Sequence, residues 1–377
     1  MHFASCCSNT ATRVTLALTL VASAACSAPA PPTEVAIGVG ALPGRPGYAQ
    51  VVRGVTLAVA HLNDTRPDGP RFTVVLPDDS ALSAVAVATR LRADPRVIGV
   101  VGHPESGSTQ ATVPVYAALG EDGLDAVPVV SPTATSPALS AISPWFFRVA
   151  PSDAAGARDV AAYAWDSLRV GIAAVVYRND AYGRDWAHHF ATAWTTRGGT
   201  LPVRLPYLPG RTDWGAYAGL IAAEDPDVVL FPGDADDGAQ LLRALRAAGA
   251  RAAFIGGDGT EELARDTAFA GIRIATLYRP DSSAASRRFL AAWAADDLPT
   301  TGSAPPDMFG ALAYDATLAL GAAVHAADAP TRAAVRRALE RIRLDGAGGP
   351  IAFDPRTHDV IGRRLAIVRA ADLGGQP

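Results

Sequence analysis

Hydroxyl side chains gather at a point of the sequence where a short apolar run gives way to a helical pattern. Residues 97–101 form the apolar run, and Ser106, Ser108 and Thr109 follow it within four positions of one another. Hydroxyls and unpaired backbone N–H groups at the start of a helix suit a carboxylate, because they donate hydrogen bonds without a full positive charge. The alternative is that these hydroxyls only cap the helix, as Ser and Thr commonly do.

A second polar segment, residues 131–137, comes directly after the apolar run at residues 127–130. Its two prolines restrict the backbone, so Thr133 and Thr135 would present their hydroxyls from a fixed frame. We predict that both threonines contact the same ligand as the first segment. A plain turn without a binding role is the alternative for this segment.

Two later segments offer an aromatic ring and an acid. Tyr182 stands before Gly183, which permits a tight turn, so the ring and its hydroxyl can close over a ligand. Asp258 lies in the run Gly-Gly-Asp-Gly at 256–259, where the glycines leave its carboxylate open to an ammonium group. Such a run is also typical of an ordinary turn, so by itself it indicates little.

The motifs of common enzymes are absent from the sequence. A nucleophile elbow around Ser106 would need a glycine where Pro104 stands. His188 and His189 are neighbours on a predicted helix and therefore point to different sides, so they cannot chelate one metal ion. We find no HExxH, CxxC or phosphate-binding glycine motif. The sequence predicts no catalytic residue, no metal site and no cofactor, and a hydrolase is the less favoured alternative.

The elements that must position these residues alternate between strands and helices. From residue 35 to about 150, β-branched runs and Ala- or Leu-rich helical stretches follow one another in β-α-β-α order, and the pattern restarts after residue 151. This order predicts an α/β fold with two doubly wound parallel sheets, one in each block. Two of the polar segments fall in each block, so a ligand that contacts all four bridges the blocks, as hinge closure requires.

The N-terminus predicts export and anchoring. Arg13 precedes an apolar run at 14–22 that ends in small residues and Cys26, which predicts a signal peptide over residues 1–25. The cysteine resembles the acylated thiol of a bacterial lipoprotein. Residues 26–33, which begin with this cysteine and are rich in proline, then form a spacer between the membrane and the folded domain. The alternative is an ordinary signal peptide with an incidental cysteine. No later segment has about 18 uninterrupted apolar residues. The formal net charge of -4 argues against nucleic acid as a partner.

Over residues 35–368 the chain resembles the leucine/isoleucine/valine-binding proteins, the solute-binding components of branched-chain amino-acid ABC transporters. The segments that carry the resemblance, in order, are residues 78–79, 100–110, 130–135, 180–183, 254–259, 314–316 and 349–354. The resemblance implies a type I periplasmic-binding fold whose chain crosses between two lobes three times. We expect lobe 1 to comprise 34–149 plus 276–349, and lobe 2 to comprise 150–275 plus 350–371.

The resemblance also implies roles for individual residues. Ser106 and Thr135 would bind the ligand carboxylate, with backbone groups near Pro104 and Thr133. Tyr182 would pack over the ligand from lobe 2, and Asp258 would take the α-ammonium group. The partners implied are a small amino-acid-like ligand and a transporter permease outside the cytoplasm. A ligand-sensing module for a receptor or regulator would use the same pocket and is the alternative.

Three positions depart from the family pattern. Asp258 stands where glutamate is common, so the ligand or its pose can differ. The aromatic residue expected near the first helix is not clearly aligned, since Tyr48 is adjacent to that place but Gly47 falls in register. Asp234 belongs to an acidic run at 233–237 that either favours a cationic or polar ligand or is a solvated helix N-terminus.

Overall fold

The computed structural model describes residues 34–77, 83–119, 125–280, 283–296 and 304–374. The predicted signal peptide at 1–25, the spacer at 26–33, Cys26 and the acidic pair at 78–79 lie outside these ranges. Within the described ranges the strands form two separate larger sheets and a small hairpin.

The first sheet is built from the first block of the sequence and is parallel throughout. Its spatial order is β2-β1-β3-β4-β5. Its strands β1 and β3 are apolar runs that are buried on both faces, which requires helices on both sides of the sheet. The strands are β1 Glu34–Gly40, β2 Arg71–Val75, β3 Val97–Gly102, β4 Val129–Ser131 and β5 Phe146–Arg148, with helices α1 Tyr48–Thr65, α2 Ala84–Ala93 and α3 Ser106–Tyr116 between them.

The second sheet has the order β13-β10-β9-β8-β6-β7, and all its strands are parallel except the edge strand β13. Its strands are β6 Ile172–Arg178, β7 Thr200–Tyr207, β8 Val228–Phe231, β9 Ala253–Gly256, β10 Arg273–Thr276 and β13 Ala366–Arg369. The helices that accompany it are α4 Asp153–Ala162, α5 Ala181–Thr196, α6 Gly215–Glu224, α7 Ala235–Ala247, the 3-10 helix Asp258–Arg265 and the terminal α11 Ala370–Gly374. The predicted α/β fold with two doubly wound lobes is confirmed.

The chain returns to the first lobe after β10. The helices α8 Ala284–Ala295, α9 Met308–Ala326 and α10 Arg332–Leu339 share one apolar core with α1 and the first sheet. By length and composition α9 is apolar enough to cross a membrane, but 78% of its most apolar stretch is buried. The apolar surface of α9 therefore serves the core of the first lobe.

The last return to the second lobe comes later than we expected. The small hairpin of β11 Leu344–Gly346 and β12 Gly349–Ile351 leads into Phe353, which packs in the first core together with Ile351. His358 then stacks on Phe147 with 4.1 Å between ring centroids. Because this stretch buries its apolar side chains in the first lobe, only β13 and α11 join the second. This packing favours a boundary near 362 over the expected one at 350, and we propose the later boundary.

The first and the last passages of the chain between the lobes contact each other. Arg363, on the last passage, donates a hydrogen bond to the carbonyl of Val149 on the first passage over 3.1 Å. Its guanidinium also pairs with the fully buried carboxylate of Asp315 over 2.6 Å. Asp315 in turn accepts the N–H groups of Ala347 and Gly348. This network ties the crossing strands to the core helix α9.

Candidate functional site

A cleft of about 1190 Å³ lies between the two lobes. The loops after β3 and β4 line it from the first lobe, and the loops after β6 and β9 line it from the second. These loops stand at the carboxyl ends of parallel strands, where open α/β sheets bind ligands. The predicted site residues that line the cleft are Pro104, Ser106, Thr133, Thr135, Tyr182, Asp234 and Asp258.

Ser106 joins the two hydroxyl-bearing loops of the first lobe. Its Oγ accepts the backbone N–H groups of Thr135 and Ser136 at 3.2 and 3.1 Å. Two accepted bonds use both lone pairs of a hydroxyl, so its proton remains to be donated. Within the described chain that proton meets no acceptor, and Ser106 lines the cleft as the first residue of α3. The arrangement offers a donor to an anionic oxygen of a ligand.

Thr133 and Pro104 form a second polar position on the same wall. The Thr133 hydroxyl donates to the carbonyl oxygen of Pro104 over 2.8 Å. Since its proton is used in this bond, the lone pairs of Thr133 are left to accept a hydrogen bond from a ligand. The wall therefore combines a donor at Ser106 with acceptors at Thr133 and Pro104, which suits the carboxylate and the ammonium of one small molecule.

Two of the predicted hydroxyls do not line the cleft. The Ser108 hydroxyl donates to Glu105 Oε2 over 3.1 Å. The fully buried Thr109 hydroxyl donates to the carbonyls of His103 and Glu105 at 3.0 and 2.9 Å. Both side chains complete the first turn of α3 instead of facing a ligand. Neither hydroxyl accepts a backbone N–H group at the start of α3, so the helix-capping alternative does not describe these two positions either.

Tyr48 also lies away from the cleft, beside Ser108 in a separate crevice of about 20 Å³. Two aromatic rings that we did not predict, Trp293 and Phe309, line the cleft near the first helix. A Cβ atom at Gly47 would lie 2.6 Å from the Phe309 ring, and Gly47 has a φ of +77°. The missing side chain at Gly47 therefore makes room for a ring that comes from α9.

On the second wall, the Tyr182 hydroxyl donates to Asp258 Oδ1 over 2.8 Å, so the ring and the acid act as one unit. Gly183 allows this placement, because a Cβ atom there would lie 2.1 Å from the carbonyl oxygen of Arg178. Burial raises the pKa of Asp258 to about 6. Asp258 lines the cleft, where its carboxylate can accept a hydrogen bond from a ligand cation.

Asp234 lines the cleft, but its charge is already paired. Arg178 Nη1 donates to both of its carboxylate oxygens, at 2.5 and 2.7 Å, and Arg178 Nε pairs with Asp180. The neighbouring Asp236 is exposed at the start of α7. This pairing weakens the interpretation of the acidic run as a receptor for a cationic side chain.

Asp153 is a further acid that our sequence reasoning missed. It is the first residue of α4, it is only 1% exposed, and neither of its carboxylate oxygens has a hydrogen-bond partner among the described residues. Burial, and after it the charge of Asp258, raise the pKa of Asp153 well above its ordinary value. The Pro-Ser-Asp sequence at the start of the second block was a signal that could have drawn attention to it.

Residues at the other end of the cleft connect the lobes directly. Glu261 accepts the backbone N–H of Met308 over 3.2 Å and the hydroxyl of Thr276 over 2.8 Å. Arg265 pairs with Asp307 over 3.5 Å. Burial, and after it the charge of Asp307, raise the pKa of Glu261 to about 8. These contacts join the 3-10 helix of the second lobe to the N-terminus of α9 in the first.

Comparison with known proteins agrees with this geometry. A family model described as periplasmic binding protein matches residues 43–375. The chain is 30% identical over 217 residues to Leu/Ile/Val-binding protein homolog 3 of Brucella melitensis, an alignment that covers 56% of each chain. It is 25% identical over 316 residues to the Leu/Ile/Val-binding protein of Escherichia coli K12, covering 81% of this chain and 82% of that one. The alignments to the first relatives thus span less than two thirds of their length.

Among solved structures, the ABC transporter substrate-binding protein from Desulfitobacterium hafniense in complex with Leu has a TM-score of 0.76 at 23% identity. That likeness covers 89% of this chain and 97% of the other. Two α/β lobes with three chain passages and a cleft between them define a binding protein of the type I periplasmic class. The chain belongs to the branched-chain amino-acid periplasmic binding protein family, a non-enzymatic family whose members work outside the cytoplasm.

Proposed function

We propose that this protein captures a small α-amino acid or a close analogue between its lobes and delivers it to an ABC transporter. The observation that carries the proposal is the pairing of walls across one cleft: the free proton of Ser106 on one side, and Asp258 with Tyr182 on the other. An α-amino acid carries a carboxylate and an ammonium on one carbon atom, so it can accept a hydrogen bond from Ser106 and donate one to Asp258. The name of the Desulfitobacterium hafniense protein, an ABC transporter substrate-binding protein, supports the transporter role.

The residue roles follow from the donors and acceptors that remain free. Ser106 and the start of α3 bind the ligand carboxylate, together with Thr135. Thr133 and the Pro104 carbonyl accept from the ammonium on the first wall, and Asp258 accepts from it on the second. Tyr182 covers the ligand with its ring and holds Asp258 in place.

Capture depends on contacts that exist only when both walls meet the ligand. The first lobe can hold the ligand carboxylate alone, whereas the Tyr182–Asp258 pair contributes only after the lobes approach. A ligand shifts the equilibrium toward the closed state by no more than its difference in affinity for the two states. An amino acid that contacts both walls therefore favours closure, and a molecule that contacts one wall does not.

We further propose that a signal peptide at residues 1–25 directs export of the protein. Acylated Cys26, the first residue of the 26–33 spacer, then anchors it to the membrane. Mass spectrometry of the mature protein from its host membrane tests this proposal. The expected result is an N-terminal cysteine with a diacylglycerol mass. A mature protein with a free thiol at Cys26, or one released without lipid, would contradict the anchor.

A binding screen tests the main function. The protein without residues 1–33 is heated with each of the twenty amino acids and with matched acids that lack the amino group. A ligand at about 100 times its Kd should raise the free energy of unfolding by about 2.7 kcal/mol, which is readily seen as a rise in melting temperature. Stabilisation by one or more amino acids but not by the matched acids is expected. No stabilisation by any amino acid contradicts the proposal.

A further inference from the structure

Glu261 bridges the two lobes beside the second passage of the chain, which follows β10. It lies on the 3-10 helix of the second lobe, and its Oε1 accepts the backbone N–H of Met308 at the start of α9 in the first lobe over 3.2 Å. Its Oε2 lies 2.8 Å from Oγ1 of Thr276, the last residue of β10. One carboxyl oxygen therefore bonds to each lobe.

The Thr276 hydroxyl has two oxygen neighbours but only one proton. Besides Glu261 Oε2, the carbonyl oxygen of Tyr278 lies 2.8 Å from Thr276 Oγ1, and the N–H of Tyr278 donates to the same Oγ1 over 3.1 Å. An O···O contact of this length holds a proton between its two atoms, and a carbonyl oxygen brings none. If Thr276 donates to Tyr278, Glu261 must supply the proton of the other contact. Only a protonated Glu261 satisfies both contacts at once.

Charged groups on both lobes surround Glu261. Asp307, the N-cap of α9, and Asp258, the first residue of the same 3-10 helix, both disfavour a negative charge on Glu261. Arg265 is the cation of this group, but it pairs with Asp307 over 3.5 Å and with Glu262 over 3.6 Å. Among the residues that the structure describes, no cation pairs with Glu261 itself.

The N-terminus of α9 would by itself favour an ionised acid, because the positive end of a helix dipole attracts negative charge. Asp307 already fills this role, since its Oδ1 accepts the N–H groups of Phe309 and Gly310 at 2.9 and 3.2 Å. Burial, and after it the charge of Asp307, outweigh the bond from Met308 and raise the pKa of Glu261 to about 8. The charges thus agree with the count of protons.

We propose that Glu261 is a proton-dependent latch between the lobes. Its protonated carboxyl group joins Thr276 to the start of α9, and the latch opens when the carboxyl O–H bond breaks and the proton passes to water. The ionised group then faces Asp307 and competes with Tyr278 for the single proton of Thr276, whereas separation of the lobes returns it to solvent. The inference goes beyond the proposed function, because the latch requires no ligand.

Linkage sets the direction of the pH effect. With the lobes apart, Glu261 reaches water and its pKa returns toward the ordinary value of about 4.3. With the latch closed, its pKa is about 8, so the latched arrangement holds one more proton between these two values. The equilibrium constant for separation of the lobes should therefore rise about tenfold per pH unit from about pH 5 to about pH 8 and level off above it.

Distances between spin labels on the two lobes measure this equilibrium. The protein without residues 1–33 keeps every described residue and contains no cysteine, so Val85→Cys and Leu208→Cys provide two unique sites of attachment. Both side chains are exposed, and neither lines the cleft. They come after the edge strands β2 and β7, which lie across their sheets from β5 and β13, where the first passage leaves and the last passage arrives.

We expect one short distance at about pH 5 and a growing population with a longer distance as the pH rises to about 8. Glu261→Gln should keep the short distance at every pH, because its amide accepts from Met308 and donates to Thr276 as the protonated carboxyl does. Glu262→Gln is the matched control on the same 3-10 helix. Its carboxylate is about half exposed, so this variant should follow the wild type.

Infrared difference spectroscopy tests the proton itself. At about pH 6, below the pKa of about 8, subtraction of the Glu261→Gln spectrum from that of the wild type should leave a protonated-carboxyl band. Subtraction of the Glu262→Gln spectrum should leave none. The absence of the band from the first difference overturns the proposal, because Glu261 would then be ionised while the lobes are joined.

The spin-label distances can overturn the latch in three ways. The distance in the wild type does not change with pH, or Glu261→Gln separates with the same pH dependence as the wild type, or Glu261→Gln is already separated at the lowest pH. Each of these results leaves the proposed function standing, because no ligand is present. Conversely, a failure of all amino acids to bind in the screen leaves the latch standing.

Discussion

The Oγ atom of Ser106 lies 3.2 Å from the backbone nitrogen of Thr135, although the two residues follow different strands of the first sheet. The bond locks the loop after β3 to the loop after β4. Arg148, fully buried beneath them, fixes the second loop from behind through the carbonyl of Ser136 over 2.7 Å. The first wall of the cleft is therefore set before a ligand arrives, which limits the entropy lost on binding.

Replacement of Ser106 by alanine should weaken amino-acid binding by about 1.5–3 kcal/mol, the usual range for a hydrogen bond to a charged group. The variant loses the donor to the ligand carboxylate and also the acceptor that holds Thr135. Calorimetric titration with the amino acid found in the screen measures the loss. Ser108→Ala is the matched control, because the Ser108 hydroxyl donates to Glu105 and does not line the cleft. Equal losses in both variants would remove Ser106 from the site.

Tyr182→Phe should weaken binding more at pH 6 than at pH 8. The Tyr182 hydroxyl stabilises ionised Asp258, so its removal raises the pKa of that acid above about 6. Less of the acid is then ionised at pH 6, whereas most remains ionised at pH 8. Dissociation constants measured at both pH values test this prediction. Tyr177→Phe, which removes a hydroxyl outside the cleft on β6, should change neither value. A pH-independent loss would contradict the role of the hydroxyl.

Asp234→Asn should change ligand affinity by less than about 1 kcal/mol, because this partly exposed carboxylate is already neutralised by Arg178. Asp258→Asn should lower the affinity by about 2–5 kcal/mol, as expected for one member of a buried charged contact. The two substitutions are chemically identical, so the comparison isolates the position. Calorimetric titration of both variants with the ligand measures these losses of affinity. A larger loss for Asp234→Asn than for Asp258→Asn would support the interpretation of the acidic run as a receptor for a cation.

The ligand-free protein should become less stable as the pH rises from about 5 to about 8, and Glu261→Gln should remove part of this slope. Burial raises the pKa of Glu261 to about 8, so the folded protein holds a proton that the unfolded chain releases near its ordinary pKa. The folded state binds more protons in this window, and its free energy of unfolding falls as the pH rises. Denaturant unfolding at several pH values measures the slope.

The matched control for this experiment is Glu262→Gln, the next residue along the same 3-10 helix. Its carboxylate is about half exposed and pairs with Arg265 over 3.6 Å. We expect its pH dependence to follow the wild type. If Glu262→Gln flattens the pH dependence of stability as much as Glu261→Gln does, then burial of Glu261 is not the cause of that dependence.

The sequence was sufficient to find the loops of the site but not the direction of each hydroxyl within them. Apolar runs such as β3 and β4 identify the strands, and the carboxyl ends of parallel strands meet at one edge. On a helix, however, Ser108 points away from the side of Ser106, and Thr109, which shares that side, is buried against the carbonyls of His103 and Glu105. Ser106 therefore lines the cleft while Ser108 and Thr109 turn back onto α3. Which of these hydroxyls faces the cleft depends on the residue at which the helix begins, and the sequence pattern does not define that residue.

Sequence patterns did not predict the contacts between distant parts of the chain. Phe309 reaches the cleft because Gly47, far earlier in the chain, leaves space for its ring. Asp153 is an ordinary acid at a helix start until the fold buries it. The late boundary near 362 depends on Ile351 and Phe353, whose apolar side chains suit either core equally well. Tertiary packing alone determines these three features.

The three passages between the lobes have a consequence for the order in which the protein is synthesised. When the ribosome has translated the chain as far as β10, five of the six strands of the second sheet exist, whereas the first sheet still lacks the core helix α9. The part made first is therefore still incomplete when most of the second sheet has been made. A nascent chain that stops near residue 280 leaves the core around α1 and the first sheet without α8, α9 and α10, so premature termination there should yield an insoluble fragment rather than half a binding protein.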